Sequence, residues 1–350
     1  MSRPGGIDRV TFNYGQAAPP VITGTTGTWI DVTPGDMDPA AGGDCFGCNA
    51  TILVHPQRQR ELYTFCDLQG MWKSTNFGLT WLKQSAPGSV IEGSKSWGSA
   101  IAPDGSYMLV AGVFRKVCRS NDGGYTWFIA ADGLSWDAYG FDIDPADKNH
   151  VIATAHDQND GHLYESSDGG YTWTDRGAMG AMAHGSYAYF GQTASTIIAV
   201  AEDGDGTDTL RGTWNGSAWS WNSESGQQHY HGSHQLFVDR ANNIIFNPGL
   251  SGIEKSTDDG QNWSSVTAQA AGAIARGRTT LYAMRGLASQ GTFAPQLQHA
   301  TAPDGSSWTD DTDPAGMDNG PKWMVGVTDG ITHAIVAICW NYGIWRYVEP

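Results

Sequence analysis

Six short runs in the chain mix apolar and polar residues and each leads into a turn: GMWKS (70–74), KVCRS (116–120), HLYES (162–166), DTLRG (208–212), GIEKS (252–256) and QLQHA (296–300). Each run leads into a polar segment that bears glycine and closes on a tryptophan. The segments are STNFGLTW (74–81), SNDGGYTW (120–127), SSDGGYTW (166–173), GTWNGSAW (212–219), STDDGQNW (256–263) and TAPDGSSW (301–308). Short runs bounded by Ser, Asp and Gly predict strands joined by tight turns, with side chains capping turn N–H groups and glycine taking positive φ. Trp81, Trp127, Trp173, Trp219, Trp263 and Trp308 are spaced by 46, 46, 46, 44 and 45 residues, so the hairpin is a structural repeat.

A seventh run, GIWRY (343–347), has no turn after it. The missing outer strand is at the other terminus, where GTWIDVTP (27–34) matches the segments that come after the turn tryptophans, LTWLKQ and YTWFIA. Seven four-stranded units over residues 25–350 therefore form one domain, and the N-terminal strand closes the last unit so that the ring has no free edge. Residues 1–24, with GQAAPPVITG, read as an arm available for assembly into a virion or multidomain protein.

The turns resemble the Asp-box (BNR) repeat of sialidase-like propellers. That resemblance implies an all-β, seven-bladed β-propeller in which the boxes brace the blades, a fold that hosts unrelated activities. Composition agrees, with 46 Gly, 15 Trp, 13 Tyr and only 16% charged residues. A net charge of −16 argues against nucleic acid as a partner, and no apolar run reaches membrane-spanning length. The first residues lack the apolar core of a signal peptide, so either a signal has been removed or the protein leaves the cell another way; the expected setting is extracellular or a virion. Of five cysteines, Cys45 or Cys48 is expected to pair with Cys66; CFGC lacks a second ligand pair for zinc.

Up-and-down connectivity puts two sets of loops on one face: those from outer strand to next innermost strand, and those between second and third strands. The resemblance locates binding sites there, around the mouth of the central channel. Aligned innermost strands give a ring of Phe46, Trp97, Tyr139, His184 and His231, with Asn49, Asp142, Tyr187 and His234 three residues further on. Their shared glycine is expected where blades crowd the inner rim. Aromatic faces with Asp and His suit a saccharide. The second-to-third-strand loops add His156, Trp340 and Tyr342, and EDGDGTD offers Asp203, Asp205 and Asp208 as oxygen ligands for Ca²⁺.

LYTFCDLQGMWKSTNFGLTW (62–81) resembles the first blade of propeller endoglucanases that cut xyloglucan, and this resemblance makes Asp67 a catalytic base. Those enzymes place the acid on a second propeller, so a one-propeller hydrolase would draw it from Asp137, Asp142 or Asp157. A carboxyl separation of about 5–5.5 Å would then indicate retention and about 6.5–9.5 Å inversion. A polysaccharide lyase is the second enzymatic reading, with His184, Tyr187, His231 or His234 as base and Arg115 or Arg276 neutralising a uronate. The same three histidines could instead hold a transition ion. A non-catalytic alternative is a bacteriophage tail or fibre protein that binds host glycans. The basic residues Lys73, Arg119, Arg211, Lys255 and Arg346 lie on third strands and are expected to be structural.

Overall fold

The computed structural model describes residues 20–41, 51–93, 98–111, 116–130, 138–155, 161–180, 186–201, 209–225, 227, 229, 235–285 and 295–350. Among them the regular elements are strands, paired into seven four-stranded antiparallel sheets. Six sheets take consecutive strands in chain order. In the seventh, Pro321–Thr328, His333–Cys339 and Gly343–Val348 are joined at the outer edge by Trp29–Asp31 from the other end of the chain. Trp29 pairs with Tyr347, Ile30 with Arg346 and Asp31 with Trp345. The fold is the all-β, seven-bladed propeller expected from the repeat, closed by its N-terminal strand.

Burial falls from the middle of each blade outward. Second strands such as Leu62–Cys66, Val151–Ala155 and Thr196–Ala201 are buried throughout, because neighbouring blades cover both faces. Their continuous apolar runs, rich in β-branched residues, suit that position. Outer strands such as Leu82–Lys83 and Phe128–Ile129 are exposed. Glycine on the innermost strands permits close approach of the next blade: a Cβ on Gly98 would lie 2.3 Å from the Tyr139 carbonyl oxygen, and one on Gly140 would lie 3.0 Å from Tyr187 Cα.

The repeated turns share one hydrogen-bond pattern. Gly124 N donates to Ser120 Oγ at 2.9 Å, Thr126 N to Asp122 Oδ1 at 2.9 Å, and Trp127 Nε1 to the Gly124 carbonyl at 2.8 Å. The same three bonds recur around Ser166, Asp168 and Trp173. They recur again around Ser256, Asp258 and Trp263, and in blade one with Asn76 in the acceptor place. Blade four departs from this. Its strands stay paired up to Trp214 opposite Trp219, and Asn215 Oδ1 caps Ser217 N and Ala218 N in a plain hairpin.

These turns also join successive blades. Arg346 Nε donates to the Phe77 carbonyl at 2.8 Å, Arg211 Nε to Asp259 at 2.8 Å, Lys255 Nζ to Asp304 at 2.9 Å, and Arg119 Nη1 to Gly169. Every acceptor is the residue before the turn glycine of the next blade, so the third-strand cations are structural, as expected. Lys73 instead pairs with Glu61 at 3.0 Å inside its own blade. Arg346 spans the seam where blade seven meets blade one; it is fully buried and also donates from Nη1 to the Thr23 carbonyl at 2.8 Å. Ile22 N donates to Asp329 Oδ2 at 2.7 Å, which docks residues 22–23 of the expected arm on blade seven. The apolar side of this seam sets Val336, Ile338 and Ile344 against Leu62, Trp72 and Trp81.

Candidate functional site at the channel mouth

Blades one and seven carry matching turns between second and third strands. Cys66 pairs with Gly70 and Cys339 with Gly343 across three-residue turns, and the middle residues Leu68 and Asn341 take left-handed φ of 63° and 60°. Gln69 N donates to the Cys66 carbonyl at 3.0 Å and Tyr342 N to that of Cys339 at 3.2 Å. Asp67 and Trp340 therefore hold the same first position in adjacent blades. Both side chains are buried, with exposures of 1% and 2%.

Trp340 packs in one apolar cluster with Tyr139, Tyr187, Tyr189 and Leu236, residues from blades three, four and five. Blade seven does not adjoin blades three and four, so this cluster crosses the channel and floors it with aromatic rings. Tyr139 and Tyr187 lie 6.2 Å apart between centroids, and Tyr187 stacks on Tyr189 at 6.5 Å. Lys322, in blade seven at the alignment position that Tyr139 holds in blade three, carries its Nζ 4.8 Å from the Trp340 ring centroid. Lys322 is 4% exposed, which brings a cation under the mouth that sequence reasoning missed. Its signal was Lys322 itself, at the position where the first five blades place an aromatic or histidine.

Several expected residues lie elsewhere in the blades. Asp142 sits toward the far end of its innermost strand, where its carboxylate accepts Phe190 N at 2.8 Å and Ile143 N at 2.9 Å. Desolvation there pushes its carboxyl up to about 6, against the lowering effect of Arg240 and these amides. Tyr342 is half-buried and its carbonyl accepts Trp345 Nε1 at 3.0 Å. Arg276 donates from Nη2 to the Pro303 carbonyl at 2.6 Å and pairs with Asp239 at 2.5 Å, at the strand end away from the mouth.

Around blade five, His229 is buried and hydrogen-bonded to Asn247; burial lowers it to about 4, leaving it neutral at pH 7. Gln227 Nε2 donates to the Gly252 carbonyl at 2.7 Å. Gln235 was also missed. Its Oε1 accepts Ile274 N at 3.2 Å and Met324 N at 3.1 Å, and its Nε2 donates to the Met324 carbonyl at 2.7 Å, so one side chain ties blades five, six and seven. It comes directly after HGSH, but its partners are 39 and 89 residues away.

Phe46, Asn49, Trp97, Arg115, Asp137, His156, Asp157, His184, Asp203, Asp205, Asp208, His231 and His234 lie outside the described residues. So do Cys45 and Cys48; Cys66 Sγ donates to the Asp38 carbonyl at 3.3 Å. Among the described residues, no group of three His, Cys, Asp or Glu side chains is placed to hold a metal ion. No described helix is long and apolar enough to cross a membrane.

No family model matches the chain. Xyloglucanase Xgh74A of Acetivibrio thermocellus is 27% identical over 244 residues, which is 61% of this chain and 25% of that protein. The chain thus matches only about a quarter of this curated relative's length. Among solved structures, U3-55K superposes with a TM-score of 0.61 at 9% identity, covering 93% of this chain and all of that one. YCF48 from Cyanidioschyzon merolae gives 0.60 at 13% identity, over 92% and 99% of the two chains. YCF48 bound to D1 peptide gives 0.58 at 14% identity, over 95% and 100%. At these identities the structural likeness establishes the propeller fold.

Proposed function

We propose that this chain is an Asp-box propeller that recognises a polysaccharide or cell-surface glycan across its channel mouth, outside the cell or on a virion, and that Asp67 is the base of a xyloglucanase-like hydrolysis. The observation that carries this reading is the matched pair of turns in adjacent blades one and seven, in which Asp67 and Trp340 hold the same first position. The similarity to a xyloglucanase supports the choice of substrate class, and the repeated Ser, Asp and Trp hydrogen bonds support the Asp-box assignment.

The chemistry required of Asp67 is modest. A carboxylate at the mouth takes a proton from water as that water attacks the anomeric carbon, while a second carboxyl protonates the leaving oxygen. The buried aromatic floor packs beneath the mouth and supports its turns, and Lys322 carries its Nζ 4.8 Å from the Trp340 ring centroid.

A glycan array combined with product assays on the binders tests the reading. Glycan binding with release of new reducing ends, lost in Asp67→Asn, is the expected result. Unsaturated product absorbing at 235 nm would replace hydrolysis with elimination. Binding without product would leave a lectin-like receptor binder, and absence of all binding would overturn glycan recognition.

A further inference from the structure

A cavity of about 580 Å³ opens between blades six and seven, away from the mouth. It lies beside the 278–280 connection between the first and second strands of blade six. Both ends of the chain build it: Trp29 comes from the closing strand and Tyr347 from the last strand. Trp29 and Tyr347 have ring centroids 5.4 Å apart at 33°, and Tyr282 and Tyr347 have centroids 5.4 Å apart at 57°.

Polar groups surround these rings. His299 Nδ1 and Asp311 Oδ2 are 2.8 Å apart, with side chains 27% and 31% exposed, so solvent and ligand reach the pair. Glu349 Oε2 accepts Arg278 N at 2.8 Å, and Tyr282 is hydrogen-bonded to Glu349. Four threonines complete the polar lining.

The lining selects a ligand class. An apolar ligand would cover Asp311, His299 and Glu349 without returning hydrogen bonds, a costly desolvation. An inorganic anion would meet two carboxylates. An organic ammonium would suit an aromatic cage, but both carboxylates are already engaged by donors of the protein. A sugar ring meets all the requirements, because its C–H face covers aromatics while its hydroxyls both donate and accept. The volume lies within the roughly 300–1,000 Å³ of small-molecule pockets.

We propose that this cavity is a second carbohydrate site that takes one or two neutral sugar rings. It is separate from the mouth and independent of Asp67. Because its walls come from both chain termini, an occupant braces the ring closure and raises the melting temperature.

Titration with cellobiose, xylobiose, lactose and, as a cationic control, tetramethylammonium, each up to about 10 mM and monitored through the His299 ring resonances, tests it, with Asp311→Ala, Thr301→Trp and Asp67→Asn as variants. At least one disaccharide is expected to shift His299 and to raise the melting temperature. Asp311→Ala should weaken that binding at least tenfold, and Asp67→Asn should leave it unchanged. Thr301→Trp fills the cavity from an exposed position, and should abolish binding even if Asp311→Ala misfolds. The proposal is overturned if no disaccharide shifts His299, if folded Asp311→Ala or Thr301→Trp binds as before, or if only tetramethylammonium shifts it.

Discussion

Replacing Arg346 with methionine tests how the ring is closed. Arg346 is fully buried and donates to two carbonyls, Phe77 in blade one and Thr23 in the docked N-terminal segment, each at 2.8 Å. Methionine keeps most of the buried stem, so the change isolates the lost donors. The orphaned buried carbonyl of Phe77 costs roughly 1–3 kcal/mol, the carbonyl of exposed Thr23 regains water at about 0.5–1.5 kcal/mol, and relief of the buried guanidinium's desolvation offsets part of the sum. The expected net loss is about 1–3 kcal/mol. Equilibrium urea unfolding monitored by tryptophan fluorescence measures it, with the midpoint falling at unchanged m-value if the native state stays intact. Arg211→Met at an internal seam provides the comparison. A neutral or stabilising Arg346→Met would mean that desolvation outweighs the two bonds, and would refute the reasoning.

Gly124→Ala should destabilise by about 2–5 kcal/mol, since φ is 86° and the new Cβ would lie 1.6 Å from Met71 Cε of the preceding blade. Gly216→Ala, at φ 100° with open space around it, should cost only the backbone share, about 1–2 kcal/mol; unfolding of both variants checks the contrast. His229 is held below its unfolded value by burial, so its contribution to stability is complete above pH 6.5 and is lost as pH falls toward about 4. Asp142 has the opposite sign: raised to about 6 by desolvation, it favours the fold most below its unfolded value of 3.8 and loses that contribution as pH rises through 6. Unfolding from pH 4 to 7 should therefore show His229→Gln flattening the acid loss and Asp142→Asn flattening the loss on the neutral side. At Glu61, burial is outweighed by hydrogen bonds from Arg58, Lys73 and Tyr63, which hold the carboxyl at about 2. Its contribution is present above pH 4.5 and lost toward pH 2, so acid titration of Glu61→Gln should lack that step.

The blade count, the turn pattern and the closing strand were legible because they depend on local chemistry repeated at a fixed period. Trp81 to Trp308 carry the phase, and the unpaired GTWIDV and GIWRY segments imply each other. The links between blades were only half legible. The basic residues on third strands were visible, but their acceptors, the carbonyls before the next turn glycines, lie in a neighbouring blade whose offset a linear pattern does not give. Gln235 shows the same limit, since its partners Ile274 and Met324 share no local motif with it. Tyr139 and Tyr187 illustrate the difficulty at the mouth. Their alignment placed them near the channel, yet both are buried against one another because a packed aromatic floor and an open sugar platform use the same residue types. Asp142 was aligned correctly, but the three-residue step down the strand carries it into the blade seam.

The central claim is glycan recognition at the mouth, and calorimetric titration of the full chain with xyloglucan oligosaccharides tests it most directly. Tyr342 is half-buried in the blade-seven turn, packed on the core between blades six and seven and outside the buried floor, so its truncation spares that floor. Wild type is expected to bind, Tyr342→Ala to bind about tenfold more weakly, a loss of about 1.4 kcal/mol, and Thr301→Trp to match wild type at this site. Absence of binding by the wild type, or equal binding by Tyr342→Ala, would contradict the account.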